Sequence, residues 1–106
     1  MKYLKFRDEL VDLILSGRKW TTWRVNDEKG ITVDDKVSLC YNNGNEFARA
    51  KIYSVRETLF GKLTEEDKEG HESYSSDEQM YKQFTEDYKI KVTPQTKVKV
   101  IKFTLM

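Results

Sequence analysis

Apolar positions fall into short runs whose period changes along the chain, and the changes predict the elements. MKYLKF (1–6) suits a first strand. Asp8 is placed to cap a helix whose Leu10, Val11, Leu13 and Ile14 cover one side, and Gly17 suits the left-handed position past its end. WTTWRV (20–25), aromatic and β-branched, predicts a strand, and Asn26 to Gly30 a turn. Asp34-Asp35 is a further turn before a strand over 36–41, and NNGN (42–45) signals a hairpin whose return strand runs over 46–57. Thr64 starts a short acidic helix that stops near Gly70. Ser75 and Ser76, with Glu78 and Gln79 three residues on, offer overlapping capping boxes for a helix whose Met80, Phe84 and Tyr88 form a core-facing stripe. Pro94 precedes a last strand over 97–105, whose alternation shifts phase between Val100 and Ile101, predicting a bulge or burial on both faces.

Strand, helix, several strands, two helices and a final strand make an α+β order in which hairpins dominate and βαβ units do not repeat. The expectation is one domain over residues 1–106: a small, mostly antiparallel barrel, closed or half-closed, with about three flanking helices.

Composition narrows the class. The 106 residues include six Tyr, five Phe and two Trp, which fits a folded chain rather than a disordered one. At this size one core can form without a metal or disulfide. No stretch approaches the ~20 apolar residues of a membrane span, and MKYLKFRDEL mixes charge with apolar residues where a signal peptide would have an apolar core. Cys40 has no second cysteine to pair with, which suits a reducing compartment, and one Cys with His71 cannot make a structural zinc site. A cytoplasmic location, no membrane, no metal and no cofactor are therefore expected; oligomeric state is left open.

The formal charge of +1 names no partner, but it is unevenly spread. Residues 1–24 carry six basic and three acidic side chains, 25–62 six of each, 63–87 two basic and nine acidic, and 88–106 five lysines and no acid. Lys89, Lys91, Lys97, Lys99 and Lys102 are expected on outward, solvated positions.

The densest chemistry is GRKWTTWR (17–24), with both tryptophans, three cations and two threonines. Aromatics beside cations suit a site that stacks on a base and neutralises a phosphate. The pattern Gly-x-Lys-x-x-Thr-x-Arg, here Gly17, Lys19, Thr22 and Arg24 after an N-terminal helix, resembles the signature of ASCH domains, small PUA-like β-barrels associated with RNA. ITVDDKVSLCY, the LTEED helix and the closing KVKVIKFTL strand are similar as well, so the resemblance covers nearly the whole chain. It implies RNA or a modified nucleoside as partner, bound in a cleft lined by 17–24 with Arg18, Trp20 and Arg24 as binding residues. A small bacterial branch of the family deacetylates N4-acetylcytidine with a Lys, a Thr and a Glu. Lys19 and Thr22 match the first two, and Thr rather than Glu at position 22 is similar to that branch. The third falls on His71 in an ungapped comparison and on Glu72 after a one-residue shift, with Glu69 a further possibility. The alternative function is thus an amidohydrolase with Thr22 as nucleophile, Lys19 as base and Glu72 completing the set.

Strand geometry sets a condition on this reading. On an ideal strand positions 20, 22 and 24 face one side and 19, 21 and 23 the other, so Lys19 joins Thr22 and Arg24 only from the turn after Gly17. Trp20 would then stack on a pyrimidine beside Thr22, with Trp23 in the core. His71 is expected at the surface or in a cap, Glu65, Glu66, Asp67 and Glu69 on a solvated helix face, and Cys40 buried. A near-neutral chain grips long nucleic acid poorly, so a compact cationic cluster opposed by the acids of 63–87 suits a pocket for one nucleotide.

Overall fold

The computed structural model describes residues 1–106. Its strands are β1 (Lys2–Lys5), β2 (Thr21–Arg24), β3 (Lys36–Cys40), β4 (Glu46–Leu59) and β5 (Lys97–Leu105), and its helices α1 (Val11–Leu15), α2 (Glu65–Lys68) and α3 (Asp77–Tyr88). Short 3₁₀ turns precede α1 at Asp8–Leu10 and follow β4 at Phe60–Lys62. One curled five-stranded sheet runs in the order β1-β3-β4-β5-β2. Its neighbours are antiparallel except β1 and β3, which run parallel in the register Leu4 to Leu39. The architecture is an α+β half-barrel, and β1 and β2 are its two free edges.

Local chemistry explains most element boundaries. Thr64 caps α2 in a reciprocal box with Asp67, and Ser76, not Ser75, caps α3 by accepting from the Gln79 amide. Asp8 does not cap the first helix: its carboxylate receives the Asn42 amide at 3.3 Å, tying that turn to the β3–β4 hairpin. β2 starts at Thr21, one residue later than the expected strand, because Gly70 O accepts from both the Trp20 and Thr21 amides.

The sheet carries apolar residues on both faces. Leu4, Phe6, Ile14, Val37, Ile52, Ile101 and Phe103 belong to a core inside the curl. Trp23, Phe60, Met80, Phe84, Val98 and Val100 form a second under α3. Burial of such side chains contributes about 1.5–3 kcal/mol each. The phase shift in β5 is this change of face: Val98 and Val100 point into one core, Ile101 and Phe103 into the other. The bulge itself lies in the partner strand, where Tyr53 is the extra residue between the pairs Ile52–Phe103 and Ser54–Lys102. Cys40 is buried, as expected.

Two of the C-terminal lysines are not simply solvated. Lys99 pairs with Asp27 at 2.8 Å, and Lys102 donates to Thr21 Oγ1, Glu66 O and Glu69 O. Both lie on β5, the neighbour of β2: Lys102 ties the start of β2 to the α2 turn, and Lys99 holds the turn that follows β2. No helix is long and apolar enough to cross a membrane.

Candidate functional site

Gly17, at φ +79°, ends α1 and turns the chain so that the Arg18 and Lys19 amides both return to Leu13 O. Lys19 therefore belongs to the turn and not to β2, and its side chain is 2% exposed. From there Nζ donates to Thr21 O at 2.7 Å and to Glu72 Oε1 at 2.5 Å. Glu72 arrives because the turn after α2 docks on the start of β2 through Gly70 O and through the Thr21 hydroxyl, which donates to Glu69 O.

Thr22 and Arg24 follow on β2 and turn to the same space. Arg24 Nε donates to Thr22 Oγ1 at 3.1 Å, its Nη2 donates to Lys5 O at 2.9 Å, and its guanidinium lies 4.8 Å above the centre of the Phe6 ring. Arg24 thereby bridges the two free edges of the sheet. The gap between them is a cleft of about 510 Å³ lined by Lys19, Thr22, Arg24, Glu72, Tyr74 and Tyr88, among others. Lys19 Nζ and Thr22 Oγ1 are not hydrogen-bonded: each has other partners.

Burial drives the Lys19 amine down, the charge of Glu72 opposes this, and the outcome is about 8. For Glu72 burial is the largest single influence and acts upward, but the charge of Lys19 together with His71 and the hydrogen bonds to the carboxylate outweighs it, leaving the carboxyl below its ordinary value. Burial also lowers the Arg24 guanidinium from its usual value. A buried lysine amine lowered to about 8 and lining a cleft can act as a general base, while the carboxylate beside it holds its position and partly opposes the lowering.

His71 lies inside rather than at the surface. Its ring stacks on Trp23 with centroids 3.6 Å apart and planes 14° off parallel, and its side chain is 3% exposed. Burial pushes it down to about 3, so the imidazole is neutral, with Nδ1 2.9 Å from Glu72 O and 3.3 Å from Glu72 Oε1. Trp23 joins the core yet also lines the cleft, and its indole N–H donates to Asp67 O at 3.0 Å. Asp67 is buried instead of solvated, held by two hydrogen bonds from Arg56 at 3.0 and 2.8 Å.

The cleft thus gathers Lys19, Thr22, Arg24 and Glu72, and leaves out Arg18 and Trp20. Arg18 is exposed and donates to Ser16 Oγ. Trp20 does not share the Thr22 face. It sits before β2 with its indole against Gly70, lining a separate shallow groove with Ile14, Tyr53, Phe103 and Leu105. Glu69 contributes to the β2 junction through its carbonyl, and the acid beside Lys19 is Glu72. Arg7 and Tyr74, which sequence reasoning did not single out, also line the cleft. Neither stands in a motif or a periodic stripe, so no local signal marks them. No three His, Cys, Asp or Glu side chains come together in a way that could hold a metal ion.

Comparison with known proteins identifies the fold and the family. No curated protein sequence matches the chain. Among solved structures, the ASCH domain from Lactobacillus crispatus JV V101 superposes with a TM-score of 0.71 at 16% identity, over 98% of this chain and 79% of that one. Protein EF3133 from Enterococcus faecalis V583 gives 0.82 at 17% identity, over 100% and 76% of the two chains. The hypothetical protein PH0355 gives 0.74 at 22% identity over 100% of both. These likenesses establish the fold. The ASCH domain family model matches residues 2–106, and the chain belongs to the ASCH domain family.

Proposed function

We propose that the cleft is a hydrolytic site for one modified nucleoside, removing the acyl group from N4-acetylcytidine or a related N4-acylcytosine. The observation that carries this reading is the buried Lys19–Glu72 pair on the cleft that Thr22 also lines. The volume of about 510 Å³ falls within the usual range for small-molecule pockets. With its amine at about 8, roughly a tenth of Lys19 is neutral at pH 7 and able to accept a proton.

The chemistry then runs through a threonine ester. Thr22 Oγ1 attacks the acyl carbon while its proton passes to Lys19, directly after a rotation of the lysine stem or through one bridging water. The C–N bond breaks, the leaving amine takes the proton back, and water hydrolyses the ester. Glu72 holds the amine in place throughout.

One observation favours a second reading, in which the domain binds RNA or a modified nucleoside without cleaving it: Lys19 and Thr22 are not hydrogen-bonded to each other. Arg18 and the 38% exposed Trp20 would then extend the contact beyond the cleft.

Incubation with N4-acetylcytidine separates the two. Release of cytidine that disappears in Lys19→Ala and Thr22→Ala, with melting behaviour retained, supports hydrolysis. No release by the wild-type protein, or equal release by the variants, overturns it. Binding alone predicts affinity for single-stranded RNA that falls with salt and weakens in Trp20→Ala.

A further inference from the structure

Arg24 differs from Lys19 and Arg7, which line the cleft with it, while Lys5, the fourth cation of the lining, is exposed and lies over the Tyr3 ring. Lys19 is paired with Glu72, and Arg7 lies 3.4 Å from Glu9 and 3.9 Å from the second oxygen of Glu72. Arg24 has no carboxylate partner: its protein contacts are Thr22 Oγ1, Lys5 O and the face of Phe6. Of the five N–H donors of a guanidinium, two are taken by those oxygens and the rest have no protein acceptor. None of these remaining N–H groups is buried without a partner, so they open onto the cleft and are free to meet an anionic oxygen there.

The contact with Thr22 says where that oxygen arises. Nε–H donates to Oγ1, so the threonine's own proton is free for a base, and charge left on Oγ1 is stabilised by the cation beside it. When Oγ1 bonds to an acyl carbon, the carbonyl π pair moves onto an oxygen about 2.3 Å from Oγ1, as the geometry of a tetrahedral carbon requires. Collapse of this intermediate reforms the C=O bond and expels the leaving group.

We infer that Arg24 is a catalytic residue whose guanidinium stabilises both the Thr22 alkoxide and the acyl oxyanion formed by its attack. This rests on Thr22 being the nucleophile proposed above, but not on the identity of the acylated base. The cation acts on charge that develops during the reaction, so its loss lowers the rate more than the affinity.

The test uses the full chain and p-nitrophenyl acetate, an activated acyl donor that needs no nucleoside recognition. Acetylation of Thr22 is followed by mass spectrometry and p-nitrophenolate release, with thermal melting to confirm folding. Arg24→Gln is expected to slow Thr22 acylation by about 10²–10³-fold with little change in the concentration dependence. Arg24→Lys, which keeps the charge but loses Nε–H and the fork, is expected to fall between and decides the matter if the glutamine variant does not fold. Equal acylation rates in wild type and Arg24→Lys, or no acetylation of Thr22 in the wild type, overturns the inference. A raised half-saturation concentration with an unchanged limiting rate also overturns it, since that marks a ground-state anion site. Arg24-dependent acylation of Thr22 without cytidine release from N4-acetylcytidine would leave this inference standing and remove the proposed substrate.

Discussion

Nζ of Lys19 lies 2.5 Å from Oε1 of Glu72 across 53 positions of sequence. The contact depends on two backbone events that neither residue controls: the left-handed turn at Gly17 and the docking of Gly70 O on the Trp20 and Thr21 amides. The pair lines the cleft, and under the proposed mechanism it sets the pH dependence of the site.

Burial and Glu72 act on Lys19 in opposite directions and leave the amine at about 8. If neutral Lys19 is the base, kcat/KM for N4-acetylcytidine rises with pH and levels above about 8. Glu72→Gln removes the charge that raises the amine, so the inflection should move to lower pH while the plateau falls. A pH–rate series on both proteins measures this; an inflection that stays put or moves upward in Glu72→Gln contradicts it.

His71 is the single histidine of the chain and is held at about 3, against 6.5 for an exposed imidazole. Between pH 6.5 and 4.5 the unfolded chain takes up this proton and the folded one does not, so stability falls as pH falls. Carboxylates such as Glu72 and Asp67, lowered from 4.5 and 3.8, add their loss only below those values. The drop across the histidine window is about 2 kcal/mol. His71→Phe, which can still stack on Trp23, should flatten this limb in urea titrations at pH 6.5 and 4.5.

Asp67 accepts both Arg56 donors and closes the α2 cap, while its carbonyl holds the Trp23 indole. Asp67→Ala is expected to cost about 1–3 kcal/mol by orphaning the cap amide and the Arg56 fork. Loosening of Trp23 should follow, read as a red shift of tryptophan fluorescence that Trp20→Phe does not abolish.

Gly70 has φ +75°, and a Cβ there would stand 2.4 Å from the Trp20 ring. Gly70→Ala combines left-handed strain with that overlap, together about 2–4 kcal/mol. Adding Trp20→Ala relieves the overlap but not the strain, so the double variant should be less destabilised than the sum of the single ones. Additive losses in denaturant unfolding would show that the two residues do not meet.

Elements governed by neighbouring residues were legible from the chain alone. The NNGN hairpin, the Thr64 and Ser76 starts of α2 and α3, the Met80 and Phe84 stripe and the turn at Gly17 each depend on chemistry within a few positions. The motif residues Lys19, Thr22 and Arg24 were legible for the same reason, since four of the eight positions from 17 to 24 set the family pattern. Only the tertiary structure shows which of His71, Glu72 and Glu69 meets Lys19, because a one-residue step in an irregular turn exchanges the side chain that reaches it. It also set Trp20 against Gly70 in a separate groove, paired β1 with β3 in parallel, and brought Lys102 onto β2 and Lys99 onto the turn after it. Those outcomes depend on contacts between residues distant in sequence, whose geometry is set by how the curled sheet packs, whereas local propensity specifies only the segments that pack.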